Sequence, residues 1–119
     1  MHLEEKQLSS ELIYEGPIFT ITHDTVELEN GKTAMALEGR LDTVTAPELE
    51  QELKSSLEGV SELTLDFAKL EYISSAGLRV LLAAQKEMNK RGVMRLTHVN
   101  ETIMEIFEVT GFADILTIA

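Results

Sequence analysis

The stretch Leu70-Glu71-Tyr72-Ile73-Ser74-Ser75-Ala76-Gly77-Leu78-Arg79-Val80-Leu81-Leu82 holds the residues best placed for chemistry. An alternating apolar run ends at Ile73, two hydroxyls and two small residues follow, and a helical apolar period begins. The layout predicts a strand-to-helix junction at Ser74 and Ser75, where the first backbone N–H groups of the helix have no intrahelical acceptor. Two roles are open to a serine at such a place. Its oxygen can cap the helix, which is the commoner use. It can also carry a phosphate, because helix N-termini favour anions.

Other chemistries find little support. His2, His23 and His98 lack metal-ligand spacing, and His98 falls in a predicted strand where a structural role is expected. There is no Gly-x-x-x-x-Gly-Lys-Ser/Thr loop and no Gly-x-Gly-x-x-Gly, so a nucleotide has no recognisable cradle. Ser75-Ala76-Gly77 is not a nucleophile elbow, which needs Gly-x-Ser-x-Gly and a histidine partner. Asp66 and Glu71 lie close in sequence, but the chain has 21 acids, so their proximity carries no weight. Neither an enzyme nor a cofactor is expected.

The elements that must position the junction are legible from periodicity. Phe19–Thr22 and Val26–Glu29 alternate, Asn30-Gly31 is a strong hairpin signal, and residues 32–41 return as a strand. Met35, Leu37, Gly39 and Leu41 share one face of that strand, with Ala34 and Ala36 on the other. Asp42–Thr45 reads as a loop. Thr45-Ala46-Pro47-Glu48 has capping-box spacing and opens a first helix with Leu49, Leu53 and Leu57 as its stripe, ended by Gly59. Leu63, Leu65 and Phe67 alternate in a strand that runs loosely on through Leu70, Tyr72 and Ile73.

A second helix is expected from Ala76 to Lys90, with Leu78, Leu81, Leu82, Gln85 and Met88 inward, widened by Val80, Ala83 and Ala84, and Gly92 as its cap. A strand over 93–99 follows. Asn100 is an N-cap candidate for a third helix facing inward through Ile103, Ile106 and Phe107 and stopped by Thr110-Gly111. Ile115–Ile118 reads as a last strand. Helix and strand alternate after the hairpin, which implies a largely parallel sheet with right-handed crossovers.

Composition sets the frame. The 119 residues suit one domain, and 44% hydrophobic with 26% charged is ordinary for a globular chain. No apolar run approaches the ~20 residues of a membrane span, and Met1–Lys6 lacks the basic start and apolar stretch of a signal peptide. With no cysteine, a cytoplasmic protein is the simplest expectation. A net charge of −11 disfavours nucleic acid and anionic lipid and favours a partner with a basic face. The local exception is Arg79, Lys86, Lys90, Arg91 and Arg95. The first three have helical spacing and are expected on a solvated outer face.

Three motifs, with the order of elements, resemble the STAS domain and, within it, the bacterial anti-sigma factor antagonists. They are Leu37-Glu38-Gly39-Arg40-Leu41-Asp42 leading to Thr45-Ala46-Pro47, then Tyr72-Ile73-Ser74-Ser75-Ala76-Gly77-Leu78, then Phe107-Glu108-Val109-Thr110-Gly111-Phe112. The resemblance covers about residues 19–118. It divides the chain into an N-terminal arm or extra edge strand over 1–18 and a STAS domain over 19–119.

The implied fold is a single α/β domain with a mixed four- to five-stranded sheet, an antiparallel N-terminal hairpin, and helices mainly on one face. The implied function is a protein-binding module. In that family an anti-sigma factor that is itself a serine kinase binds the unmodified antagonist, phosphorylates the serine before the second helix, and is then released. Aligning Gly77-Leu78 with the family's Asp-Ser-Ser/Thr-Gly-Leu implies Ser75 as the target. Ser74 then stands where many members have Asp, and Ala76 where they have Ser or Thr. The contact surface this implies is Asp42, Thr43, Ser74, Ser75, Ala76, Gly77, Leu78 and Arg79. The alternative is a stand-alone STAS subunit of a transporter or lipid-transport complex, in which Ser75 merely caps.

Overall fold

The computed structural model describes residues 10–15, 18–27 and 31–119. Expectations for residues 1–6, for Gly16-Pro17 and for Leu28–Asn30 lie outside the described residues. The elements are β1 (Ser10–Glu15), β2 (Phe19–Glu27), β3 (Lys32–Leu41), α1 (Ala46–Ser56), β4 (Glu62–Ile73), α2 (Ser75–Asn89), β5 (Val93–Thr97) and α3 (Glu101–Thr110), followed by a 3₁₀ turn at Phe112–Asp114. The sheet order is β1-β2-β3-β4-β5. β1, β2 and β3 pair antiparallel, whereas β3, β4 and β5 pair parallel. The sheet is therefore mixed and five-stranded.

Among the described residues the helices cover one face of the sheet and none covers the other. Met35, Leu37 and Leu41 of β3 and Leu63, Leu65 and Phe67 of β4 are fully buried, in one cluster with Leu49 and Leu53 of α1, Leu81 and Met88 of α2, and Ile103 and Phe107 of α3. The alternate residues Ala34, Ala36, Thr64 and Asp66 are only half-buried. Each apolar side chain taken fully inside contributes about 1.5–3 kcal/mol, so every helix is held to the sheet by the residues it buries there. Phe107 reaches Phe67 with ring centroids 6.3 Å apart, which pins α3 to the sheet.

The loose periodicity of β4 has a structural cause. Its buried residues step 63, 65, 67, then 70, then 73. Against β3, Ala36 pairs with Asp66 but Glu38 with Lys69, and Gly39 pairs with Leu70 but Arg40 with Tyr72. Each irregularity gives β4 one extra residue, and a bulge flips which face the following side chains take. Gly39 sits between these bulges at φ 101, and a Cβ there would lie 2.1 Å from the Ile18 carbonyl oxygen. Only glycine permits this backbone and this approach of β2.

Several expectations are corrected. Residues 115–118 do not form a strand. The chain makes a 3₁₀ turn, and Ile118 forms a single bridge with Leu96. β5 stops at Thr97, and His98 follows in a left-handed conformation (φ 57), its Nδ1 3.1 Å from Asp66 Oδ1. On α2, Leu82 is half-buried and Ala83 exposed. Leu78, Val80, Leu81, Ala84, Gln85 and Met88 are buried as expected, and Gly77 joins them. α1 packs beside α2, and Val80 and Ala84 lie at the crevice between the two helices.

Candidate functional site

Leu41 and Ile73 end adjacent parallel strands in register. The chain leaves both at the carboxyl edge of the sheet, where loops and helix N-termini gather in parallel α/β folds. Ser74 extends the ladder by one bond, its N–H donating to the Leu41 carbonyl at 2.9 Å. It is the N-cap of α2 by backbone geometry (φ −102, ψ 177), and Ser75 is the first helical residue. The first intrahelical bond runs from the Leu78 N–H to the Ser74 carbonyl, 2.9 Å. The N–H groups of residues 75–77 therefore have no acceptor within the helix.

The two serines differ sharply. The Ser74 hydroxyl is buried, has no hydrogen-bond partner among the described residues, and makes no capping bond. Ser75 is exposed. Capping through Ser75 is thus not what the structure shows, since the N-cap position belongs to Ser74. Ala76 is half-buried, Arg79 is exposed, and Gly77 and Leu78 are buried in the domain's own core. A Cβ on Gly77 would meet Ile73 Cγ1 at 2.8 Å and Leu41 Cγ at 2.9 Å. Gly77 is what lets the first turn of α2 sit on the ends of β3 and β4.

The loop after β3 stands beside this turn and is tightly wired. Asp42 Oδ1 accepts from the N–H groups of Val44 (3.0 Å) and Thr45 (3.1 Å). The buried Thr45 hydroxyl donates to the Arg40 carbonyl at 2.7 Å and accepts from the Asp42 N–H at 2.8 Å. The expected capping box is therefore absent. Thr45 occupies the N-cap position of α1, but its hydroxyl turns back into the loop and makes no cap bond. The Thr45 N–H does most to hold the Asp42 carboxyl below its usual range. Partial desolvation opposes this, and the Val44 N–H, the Thr45 hydroxyl and the Arg40 charge reinforce it. Arg40 lies 4.2 Å from the centroid of the Tyr72 ring, which fixes the guanidinium over the end of β4.

The structure thus brings Asp42, Thr43, Ser74, Ser75, Ala76 and Arg79 to one edge of the fold. Thr43, Ala76 and Arg79 line one shallow groove between the N-terminal ends of α1 and α2. The basic cluster does not hold together. Arg91 bonds the Leu57 carbonyl and Glu87, and Arg95 pairs with Glu62 across to β4. Thr45, Arg40 and Tyr72 were missed as parts of the site. The Asp42-x-x-Thr45 spacing, the signature of an aspartate bonding its own turn, was the available signal.

A family model described as "Mlab, STAS domain" matches residues 25–117. A second model, the nucleoside diphosphate sugar hydrolase N-terminal domain, matches only residues 5–34. The chain is 34% identical to BtrV of Bordetella bronchiseptica over 97 residues, spanning 80% of this chain and 84% of that one. It is 32% identical over 102 residues to an anti-sigma-B factor antagonist of Staphylococcus epidermidis, spanning 83% and 88%. Among solved structures, an anti-sigma factor antagonist from Mycobacterium paratuberculosis superposes with a TM-score of 0.76 at 21% identity, covering 88% of this chain and 89% of that one. The fold is that of a small α/β module with a mixed sheet. The chain belongs to the STAS domain family, among its anti-sigma factor antagonists.

Proposed function

We propose that this protein is a phosphorylation-switched anti-sigma factor antagonist. Unmodified, it binds an anti-sigma factor with serine kinase activity in the cytoplasm. It is a phosphoacceptor and a binding surface, not a catalyst. The kinase transfers the γ-phosphoryl group of ATP to Ser75 Oγ, ADP departs, and the hydroxyl proton passes to a base of the kinase. The carrying observation is the contrast at the junction, with Ser74 turned into the protein and Ser75 exposed on the first residue of α2. The proposed contact surface is Asp42, Thr43, Ser74, Ser75, Ala76 and Arg79, with Gly77 and Leu78 holding the backbone beneath it.

Physical chemistry supports release without a change of fold. A phosphate adds about −1.5 to −2 charges, which the free helix N-terminus tolerates. Inside a contact the same charge must be desolvated against the partner, which is costly. A sulfate transporter family protein from Wolinella succinogenes shares the fold at a TM-score of 0.63 and 21% identity, covering 71% of this chain and 70% of that one, so the fold alone also fits a transport subunit.

Affinity capture from host extract with the wild type and with Ser75→Asp separates the two readings. A kinase-type anti-sigma factor held by the wild type and lost with Ser75→Asp is the expected result. A transport assembly held equally by both would overturn it.

A further inference from the structure

Arg79 follows Ser75 by four residues on α2. At that spacing the two Cβ atoms lie about 5–6 Å apart, on one face. Helical side chains lean toward the N-terminus, so a long side chain at 79 reaches back over the turn that carries Ser75. Both residues are exposed. Among the described residues no carboxylate lies within ion-pair distance of Arg79, and the first turn of α2 holds no acid. The acid that lines the groove with it, Glu50 of α1, pairs with Lys54 at 3.6 Å, and Asp42, in the neighbouring loop, is bonded to its own loop and pairs with Arg40. Among the described residues Arg79 is thus a guanidinium without an ion-pair partner, one turn from the hydroxyl proposed to receive a dianion.

We propose that Arg79 is the intramolecular clamp of the Ser75 phosphate, an inference that rests on Ser75 being the phosphoacceptor. In the unmodified chain Arg79 stands free to meet an acidic group of the partner. In the modified chain it folds back onto the phosphate in a charge-assisted, bidentate contact. Phosphorylation then does two things at once: it adds an anion to the contact surface and withdraws the cation. The local charge swings from +1 to about −0.5 to −1, and the phosphate loses conformational freedom, which keeps it at the edge of the helix.

The test needs neither kinase nor partner. The full chain is made with phosphoserine incorporated at position 75, and its phosphate is titrated by phosphorus NMR, with circular dichroism as a check on the fold. An ordinary phosphoserine has its second ionisation near pH ~6. The clamp should lower it by about half a unit or more, because a nearby cation favours the dianion. Arg79→Gln should return most of that shift. Lys86→Gln should leave it in place, since Lys86 is exposed but about 16 Å further along the helix, beyond the Debye length of ~8–10 Å. An unchanged midpoint in Arg79→Gln, or an equal change in Lys86→Gln, would overturn the clamp. A host kinase that ignores Ser75 would instead defeat the proposed function and leave this titration as predicted.

Discussion

Replacing Ser74 by alanine should not destabilise the protein, although Ser74 holds an N-cap position. A capping serine contributes about 0.5–2 kcal/mol because its oxygen accepts an N–H of the first turn. Here that bond is not made, and the hydroxyl is buried without a partner. A buried polar group left unpaired costs about 1–3 kcal/mol. Ser74→Ala removes the oxygen and keeps the Ser74 N–H bond to Leu41. The expected change lies between no effect and a gain of about 1–2 kcal/mol. Asn100→Ala is the matched control. Asn100 Oδ1 accepts the Ile103 N–H at 2.9 Å, and its Nδ2 donates to the Leu70 carbonyl at 3.0 Å. Losing both bonds at about 0.5–1.5 kcal/mol each predicts a loss of about 1–3 kcal/mol. Urea unfolding of the wild type and both variants, read as a shift in midpoint at constant slope, makes the comparison. A loss above about 1 kcal/mol for Ser74→Ala would refute the reasoning, because it would mean the hydroxyl has a partner.

Gly77→Ala should cost about 1–3 kcal/mol by overpacking against Ile73 and Leu41, seen as a lowered thermal midpoint. Leu81→Ala should cost about 2–5 kcal/mol in the same assay, and Leu82→Ala clearly less, because only Leu81 is fully buried. Asp42→Asn should flatten part of the acid limb of the stability profile. The folded carboxyl is depressed, so its contribution is present above its ordinary unfolded value and fades as pH falls through the lower folded one. Unfolding followed from neutral to acid pH checks the sign, and an unchanged acid limb would show that the loop bonds are not specific to the ionised form.

Elements whose pattern is set locally were readable before the structure. Asn100 caps α3 as its type and position imply, and Gly111 ends that helix at φ 83. The stripe of Leu49, Leu53 and Leu57 is buried as its spacing predicts. Local pattern is silent where a distant partner decides. Nothing within β4 announces that β3 pairs with it through two bulges. The apolar residues of 115–118 suggest a strand, yet the chain reaches β5 through a 3₁₀ turn and keeps one bridge. At the site, serine at a helix start was legible, but which serine turns inward was not. That choice follows from the Leu41 carbonyl, which takes the Ser74 N–H and so sets where the helix begins. The spacing of Thr45 to Glu48 predicts a helix cap. The Arg40 carbonyl takes its hydroxyl first.

The central claim is that the exposed serine, not its buried neighbour, receives the phosphate. Its most direct test is phosphopeptide mapping of the full chain after incubation with ATP and an extract of its host, run beside Ser75→Ala. Modification is expected at Ser75, with none at Ser74 and none in the Ser75→Ala chain. Phosphate found on Ser74, or a chain bound by its anti-sigma factor yet never modified at Ser75, would contradict it.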